Sequence, residues 1–212
     1  MKTQARFITV EGGEGAGKTT QLVFMQNYLE AHGQTVLLTR EPGGTDLGEE
    51  LRTLVLRSRQ PVMAVETELL LLFAARAEHL QQVIQPALAA GTWVLCDRFT
   101  DATYAYQGGG RGIPWERIAV LEHWLTQSRS PDLTLLFDLP VTVGLQRTRL
   151  RARLDRFERE DRLFFERVRQ AYQTLAQHNQ ERYRVIDASR SIEQVKIEVE
   201  THLNQLLRNG DG

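Results

Sequence analysis

The 212-residue sequence predicts a doubly wound α/β fold: a five-stranded parallel sheet with helices on both faces. Three observations carry that expectation. Five short runs are apolar at consecutive positions, as strands covered on both faces are. Segments of helical spacing separate those runs, so strand and helix alternate. A glycine-rich turn joins the first run to the first helical segment, where folds of this class hold phosphate.

The first strand is Phe7 to Val10, within RFITV. EGGEGAGKTT follows, Glu11 to Thr20, and contains GxxxxGK[ST] from Gly12 to Thr19. Strand, loop and helix in that order make this pattern a phosphate-binding loop. Glycines let successive backbone N–H groups turn inward onto phosphate oxygens. The helix that starts there, Lys18 to Ala31, adds partial positive charge. Lys18 is expected to reach β- and γ-phosphates, and the Thr19 hydroxyl to ligate Mg²⁺.

The second strand, Val36 to Thr39, runs into REPGGT, Arg40 to Thr45. Pro42 and two glycines force a turn, and Thr45 or Asp46 can cap the helix over Leu47 to Leu56. Glu66 to Leu88 is the third helical segment and contains LLFAARAEH. Phe73 and Arg76 are three apart there, so they project from one face. A ring beside a guanidinium can stack a base and hold a phosphate; a core phenylalanine beside a surface arginine gives the same pattern.

Trp93 to Cys96 is the third strand, and Asp97 and Arg98 leave it directly. Thr103, Tyr106 and Gln107 follow, then GGGRG, read as a flexible cationic segment. A helix is expected over Trp115 to Ser128, a fourth strand over Leu133 to Phe137, and one long helix over Val141 to Gln177. The fifth strand is Arg184 to Ile186 and the last helix Ile192 to Leu207, with residues 209–212 a frayed tail. Charged residues stand at every strand end: Glu11, Arg40 and Glu41, Asp97 and Arg98, Asp138, Asp187. In this fold those ends converge on one crevice.

Composition narrows the class. Apolar residues make up 42%, enough for a core without disulfide or metal. One cysteine, Cys96, excludes an intramolecular disulfide and suits a reducing compartment; it reads as a small core residue. No run approaches a membrane span, and MKTQARF leads straight into a strand, so a cytoplasmic protein without signal peptide or membrane partner is expected. The net charge of −1 argues against a nucleic-acid partner. The five histidines are scattered without metal-ligand spacing and read as surface or capping residues.

The tract Gly144 to Glu160 holds Arg147, Arg149, Arg151, Arg153, Arg156 and Arg159, spread over more than one helical face. It could be an RNA-binding arm, a salt-bridged surface helix, or a lid supplying arginines to a transferring phosphoryl group. With a phosphate-binding loop in the same chain, the lid reading, about residues 144–159, is preferred.

EGGEGAGKTT, REPGGT, FAAR, DRF with YAYQGGGRG, and RARLDRFE occur in the order and spacing of bacterial thymidylate kinases, and the resemblance spans residues 6 to 207. It implies a P-loop kinase forming one domain over residues 1–208, usually a homodimer, that phosphorylates dTMP with ATP and Mg²⁺. ATP would lie on Gly12, Gly13, Glu14, Gly15, Ala16, Gly17, Lys18, Thr19 and Thr20. Glu14 would accept the dTMP 3′-hydroxyl, Phe73 would stack on thymine, and Arg76 and Arg98 would clamp the acceptor phosphate. Pro42, Thr103 and Gln107 would border the base or sugar, and Tyr106 would stand where a ribose 2′-hydroxyl would go. Asp97 would organise Mg²⁺ through water. Gly15, where some members carry an arginine, implies the subtype that draws its catalytic arginine from the lid; Arg151 and Arg156 fit that role, beside Lys18 and Arg98. A deoxynucleoside kinase, a nucleotide switch and an RNA-binding protein are the alternatives. The first would need a carboxylate base to activate a sugar hydroxyl.

Overall fold

The computed structural model describes residues 4–126, 130–148 and 156–208. The elements run β1 (Phe7–Gly12), α1 (Lys18–Ala31), β2 (Val36–Arg40), α2 (Asp46–Leu56) and α3 (Val65–His79). A π-helical turn, Leu80–Ile84, carries α3 into α4 (Gln85–Ala89). Next come β3 (Trp93–Asp97), α5 (Thr100–Thr103) with π-helical winding on through Tyr104–Gly110, and α6 (Trp115–Thr126). The chain closes with β4 (Leu133–Asp138), α7 (Val141–Thr148), α8 (Arg162–His178), β5 (Tyr183–Asp187) and α9 (Ile192–Arg208).

All five strands are parallel, in the order β2-β3-β1-β4-β5. The sheet is doubly wound as expected. On one face Leu22, Met25 and Leu29 of α1 pack with Val195, Val199 and Leu203 of α9 over Ile8, Val10, Leu95 and Leu135. On the other, Leu69, Leu72 and Phe73 of α3 share a core with Phe164, Val168 and Tyr172 of α8. β1 is central, with Val10 opposite Asp97 of β3 and Leu135 of β4. The loop after β1 and the residues after β3 therefore leave the same edge side by side.

Three sequence expectations change. The long helix over Val141 to Gln177 is two helices. Residues 156–159 form a turn, Phe157 is buried, and Asp161 starts α8 by accepting a hydrogen bond from Phe164 N at 2.7 Å. A capped start is a physical stop for the helix before it. The GGGRG segment is not a loose tether either. Gly108 to Gly110 lie in the π-helical winding, where a Cβ on Gly109 would sit 2.6 Å from Ala171 Cβ and one on Gly110 2.5 Å from Phe164. Those glycines let the segment press against α8. Third, His79 is neither surface nor cap: it is buried, bonded through Nε2 to Thr39 Oγ1 at 2.7 Å and through Nδ1 to Glu41 at 3.1 Å.

Candidate active site

A cleft of about 350 Å³ opens at the carboxyl edge of the sheet. Glu14 to Thr20 form one wall, and Glu41 and Pro42 after β2, with residues from α2, α3, β3, the α5 segment and the turn at Phe157 and Glu158, form the other. The sequence-expected residues Pro42, Arg76, Asp97, Arg98, Thr103, Tyr106 and Gln107 all line it.

The loop wall is made by backbone. Gly15 and Gly17 adopt left-handed φ of 71° and 81°. α1 begins at Gly17 with no side chain capping it, so its first N–H groups stay available to an anion. Gly15 is also a close approach: a Cβ there would sit 2.4 Å from Gly144 O of α7. Lys18 is buried and donates to Gly12 O and Gly13 O, each at 3.0 Å. Burial, then the Arg98 charge, lowers its pKa from 10.5 to about 8. Phosphate oxygens would restore the partners that burial removes.

The facing wall is made by side chains. Arg76 is 3% exposed, donates through Nε to Glu41 at 2.7 Å and through Nη2 to Phe99 O at 3.2 Å and Thr103 Oγ1 at 3.0 Å. Its Nη1 is buried without a hydrogen-bond partner among the described residues. A guanidinium N–H left unmet at a cleft wall fits an anionic oxygen. Arg98, at φ 69°, donates to Glu14 at 2.8 Å, Tyr106 Oη at 2.9 Å and Tyr172 Oη at 3.1 Å. Tyr106 in turn donates to Glu14 at 2.8 Å. Behind them Glu11, fully buried, accepts from Phe99 N and Tyr172 Oη, both at 2.7 Å. Burial, then Asp101, raises its pKa to about 8.

Two expected residues sit differently from their imagined posts. Phe73 does not line the cleft; Leu72, one position earlier, does. The Phe73 ring is buried with the Arg76 guanidinium 4.9 Å from its centroid, so it supports the arginine instead of offering a face to a base. Arg156 reaches the acceptor wall, donating to Glu68 at 2.6 Å and Val55 O at 3.0 Å. Arg151, Arg149 and Arg153 lie outside the described residues.

Several contributors escaped the sequence reading. Glu41, expected only as a charge at a strand end, braces Arg76, and Arg52 of α2 lines the cleft with Nη1 on Pro42 O at 2.9 Å. Glu68, Arg111 and Tyr172 hold other members. Arg111 shows only as the cation of GGGRG, and the trace of the other two is a charged or phenolic residue at an apolar helical position, as Glu68 is within VETELLLLF.

Thr19 and Asp97 both line the cleft, and Asp97 Oδ1 is buried with no hydrogen-bond partner among the described residues. That oxygen suits the hydration shell of a small hard cation. Among the described residues no group of three or more His, Cys, Asp or Glu could hold a metal. An ion here would therefore rely on nucleotide phosphate oxygens for most of its shell.

The comparisons with known proteins agree with this geometry. The thymidylate kinase family model matches residues 10–199. A thymidylate kinase of Pseudomonas putida (strain F1) is 57% identical over 206 residues, covering 97% of this chain and 98% of the relative. One from Alcanivorax borkumensis is 56% identical, covering 90% and 92%. The crystal structure of thymidylate kinase from Ehrlichia chaffeensis superposes with a TM-score of 0.76 at 36% identity, covering 94% of this chain and 98% of that one. A phosphate loop facing the buried Arg76 and the half-buried Arg98, on this sheet order and with relatives of this likeness, places the chain in the thymidylate kinase family.

Proposed function

We propose that the protein transfers the γ-phosphoryl group of ATP to dTMP, giving ADP and dTDP for dTTP synthesis. The observation that carries this reading is the unmet Nη1 of Arg76 in the wall opposite the phosphate loop, beside Arg98. Two guanidiniums at that place fit an acceptor that already carries phosphate. A nucleoside kinase would need a carboxylate base there; Glu11, Glu14 and Glu41 are each engaged by donors, which leaves Asp97, and the thymidine arm of the test below decides against or for that use.

The acceptor needs no base. A phosphate monoester has its second pKa near ~6 and is largely dianionic at neutral pH. The obstacle is repulsion between two anions. Lys18 and the α1 amides hold the donor, and Arg76 and Arg98 hold the acceptor, so positioning and charge carry the rate. Mg²⁺ held by Thr19 and, through water, Asp97 would supply charge neutralisation at the β- and γ-oxygens. Arg151 and Arg156 would be the catalytic arginines of a lid over about residues 144–159, in one domain spanning residues 1–208; Arg156 would have to leave Glu68 to serve there. Lid cover keeps water from ATP. Glu14 takes the 3′-hydroxyl, and Tyr106, fixed by Glu14 and Arg98, excludes a 2′-hydroxyl. The base packs on Leu72, between Pro42, Thr103 and Gln107.

The protein works as a homodimer in the cytoplasm. Val120 and Trp124, one turn apart on α6, are 70% and 74% exposed, which supports a covering partner. No described helix is long and apolar enough to cross a membrane.

The test is ADP production with ATP·Mg²⁺ and dTMP, thymidine, dUMP or no acceptor. Fast turnover with dTMP and weak turnover with dUMP is expected, since one methyl is worth only about 1–3 kcal/mol. Turnover with thymidine but not dTMP would overturn the reading.

A further inference from the structure

The end of the cleft that meets the base is braced from behind. Gln107 lines the cleft, is 2% exposed, and donates through Nε2 to Glu68 Oε1 at 2.7 Å. Glu68, on α3, is fully buried. It also receives Arg111 Nε on Oε1 at 3.4 Å and Arg156 Nη2 on Oε2 at 2.6 Å. A carboxylate paired with guanidiniums only accepts hydrogen bonds. The Gln107 amide therefore cannot turn over. Turned, its oxygen would face the Glu68 oxygen, two acceptors together where both side chains are buried. Its Oε1 is the end left for a ligand.

We propose that Glu68 is a specificity-determining positioning residue: by fixing which way Gln107 faces, it makes that amide an acceptor towards the cleft, so the site selects a pyrimidine with a proton on N3. Thymine has that proton. Cytosine presents a lone pair there and meets acceptor with acceptor. The inference rests on the dTMP kinase reading of the same cleft. It differs from a purely structural role, in which Glu68 would only balance Arg111 and Arg156.

The experiment compares kcat/KM for dTMP with that for 5-methyl-2′-deoxycytidine monophosphate, which differs only at N3 and the 4-substituent. In the unmodified protein the ratio of the methylcytosine substrate to dTMP rises as pH falls from 8 to 6, by at most about tenfold per unit, because cytosine protonated on N3 becomes a donor. The charged groups around Gln107 are its neighbours Glu68, Arg111 and Arg156 and, lining the same cleft, Arg76, Arg98, Glu14, Glu41, Arg52, Asp97 and Glu158. They meet both substrates alike, as do Lys18 and Glu11, each with a pKa of about 8, so the ratio cancels them. In Glu68→Gln the 107 amide is free to turn. The ratio at pH 8 should rise by about tenfold or more, and its pH dependence should flatten. Arg111→Gln removes a guanidinium from the same carboxylate but leaves the Gln107 bond, and the ratio should stay at its original value.

A ratio flat with pH in the unmodified protein overturns the proposal. So does Glu68→Gln lowering both substrates together with the ratio unchanged. If Glu68→Gln does not fold, the pH series on the unmodified protein decides alone. Absence of dTMP turnover in the unmodified protein would instead overturn the kinase reading, and this inference with it.

Discussion

The two walls of the cleft are built from different materials. The donor wall is backbone: Glu14 to Thr20, contiguous in sequence, shaped by glycines and the start of α1. The acceptor wall is side chains from five elements, each held by another: Arg76 by Glu41, Arg98 by Glu14 and Tyr172, Gln107 by Glu68. A backbone wall is rigid through chain geometry and needs few partners. A side-chain wall is rigid only while its network is complete. Removing a side chain from the first should cost activity alone; removing one from the second should cost activity and stability together.

Lys18→Met gives the largest expected loss of rate and the cleanest split. Removing the cation from the donor phosphates should lower kcat on the order of 10³-fold. Stability should not fall. The native pKa of Lys18 is depressed to about 8, so below that pH the folded state holds a charge it disfavours relative to the unfolded chain. The thermal midpoint at pH 7 should hold or rise; a drop of many degrees would break the comparison.

Arg76→Ala tests the other wall. kcat/KM for dTMP should fall on the order of 10²-fold with KM for ATP nearly unchanged. Here stability must fall too, because Glu41 loses its buried guanidinium; such a loss costs about 3–5 kcal/mol. Denaturant unfolding measures it. An unchanged midpoint would mean that the acceptor network is not structural.

Gly15→Ala asks whether backbone alone shapes the donor wall. The added Cβ would sit 2.4 Å from Gly144 O at a φ of 71°. A strain of about 1–3 kcal/mol is expected, with weaker ATP binding by about tenfold and KM for dTMP little changed. Isothermal titration with a non-hydrolysable ATP analogue reads it.

The remaining effect is in pH. Glu11 has its pKa raised to about 8 by burial, above its unfolded value, so between roughly pH 4.5 and 8 the folded state binds the extra proton. Its contribution to stability is present at low pH and is lost as pH rises through 8. Glu11→Gln should flatten that fall in urea titrations at pH 5 to 8. A slope unchanged by the substitution would assign it to other groups.

The same division explains what the sequence disclosed. The strands, their order along the chain and the phosphate loop are written in local pattern, because apolar runs and glycine spacing act over a few residues. The acceptor wall is not local. Arg98 and Glu14 are 84 positions apart, and Tyr106 and Glu14 are 92 apart. Arg76 could be singled out by its helical spacing from Phe73 and Glu41 by its place at a strand end, but the bracing roles of Glu41 and Glu68 could not, since their work is to hold another residue. Phe73 shows the limit of helical spacing. It shares a face with Arg76 as expected, yet only the packed helix decides that Leu72 meets the cleft and Phe73 the core. The break before Asp161 was similarly hidden, because arginine and leucine suit a helix whether or not a cap interrupts it.

β1 has one more consequence, in time instead of space. The central strand is also the first in chain order, and its partners come late: Phe7 pairs with Val94, and Ile8 with Leu133. At a synthesis rate of roughly 5–20 residues per second, FITV waits for seconds with both edges bare. Parallel pairing across such separations is slow to form even then. The loop after it is written in consecutive codons but takes its shape only when β3 and β4 have docked. Until then neither nucleotide has anything to hold, so substrate cannot shelter a chain caught before its third strand, and the care of that bare strand falls to the cell's chaperones.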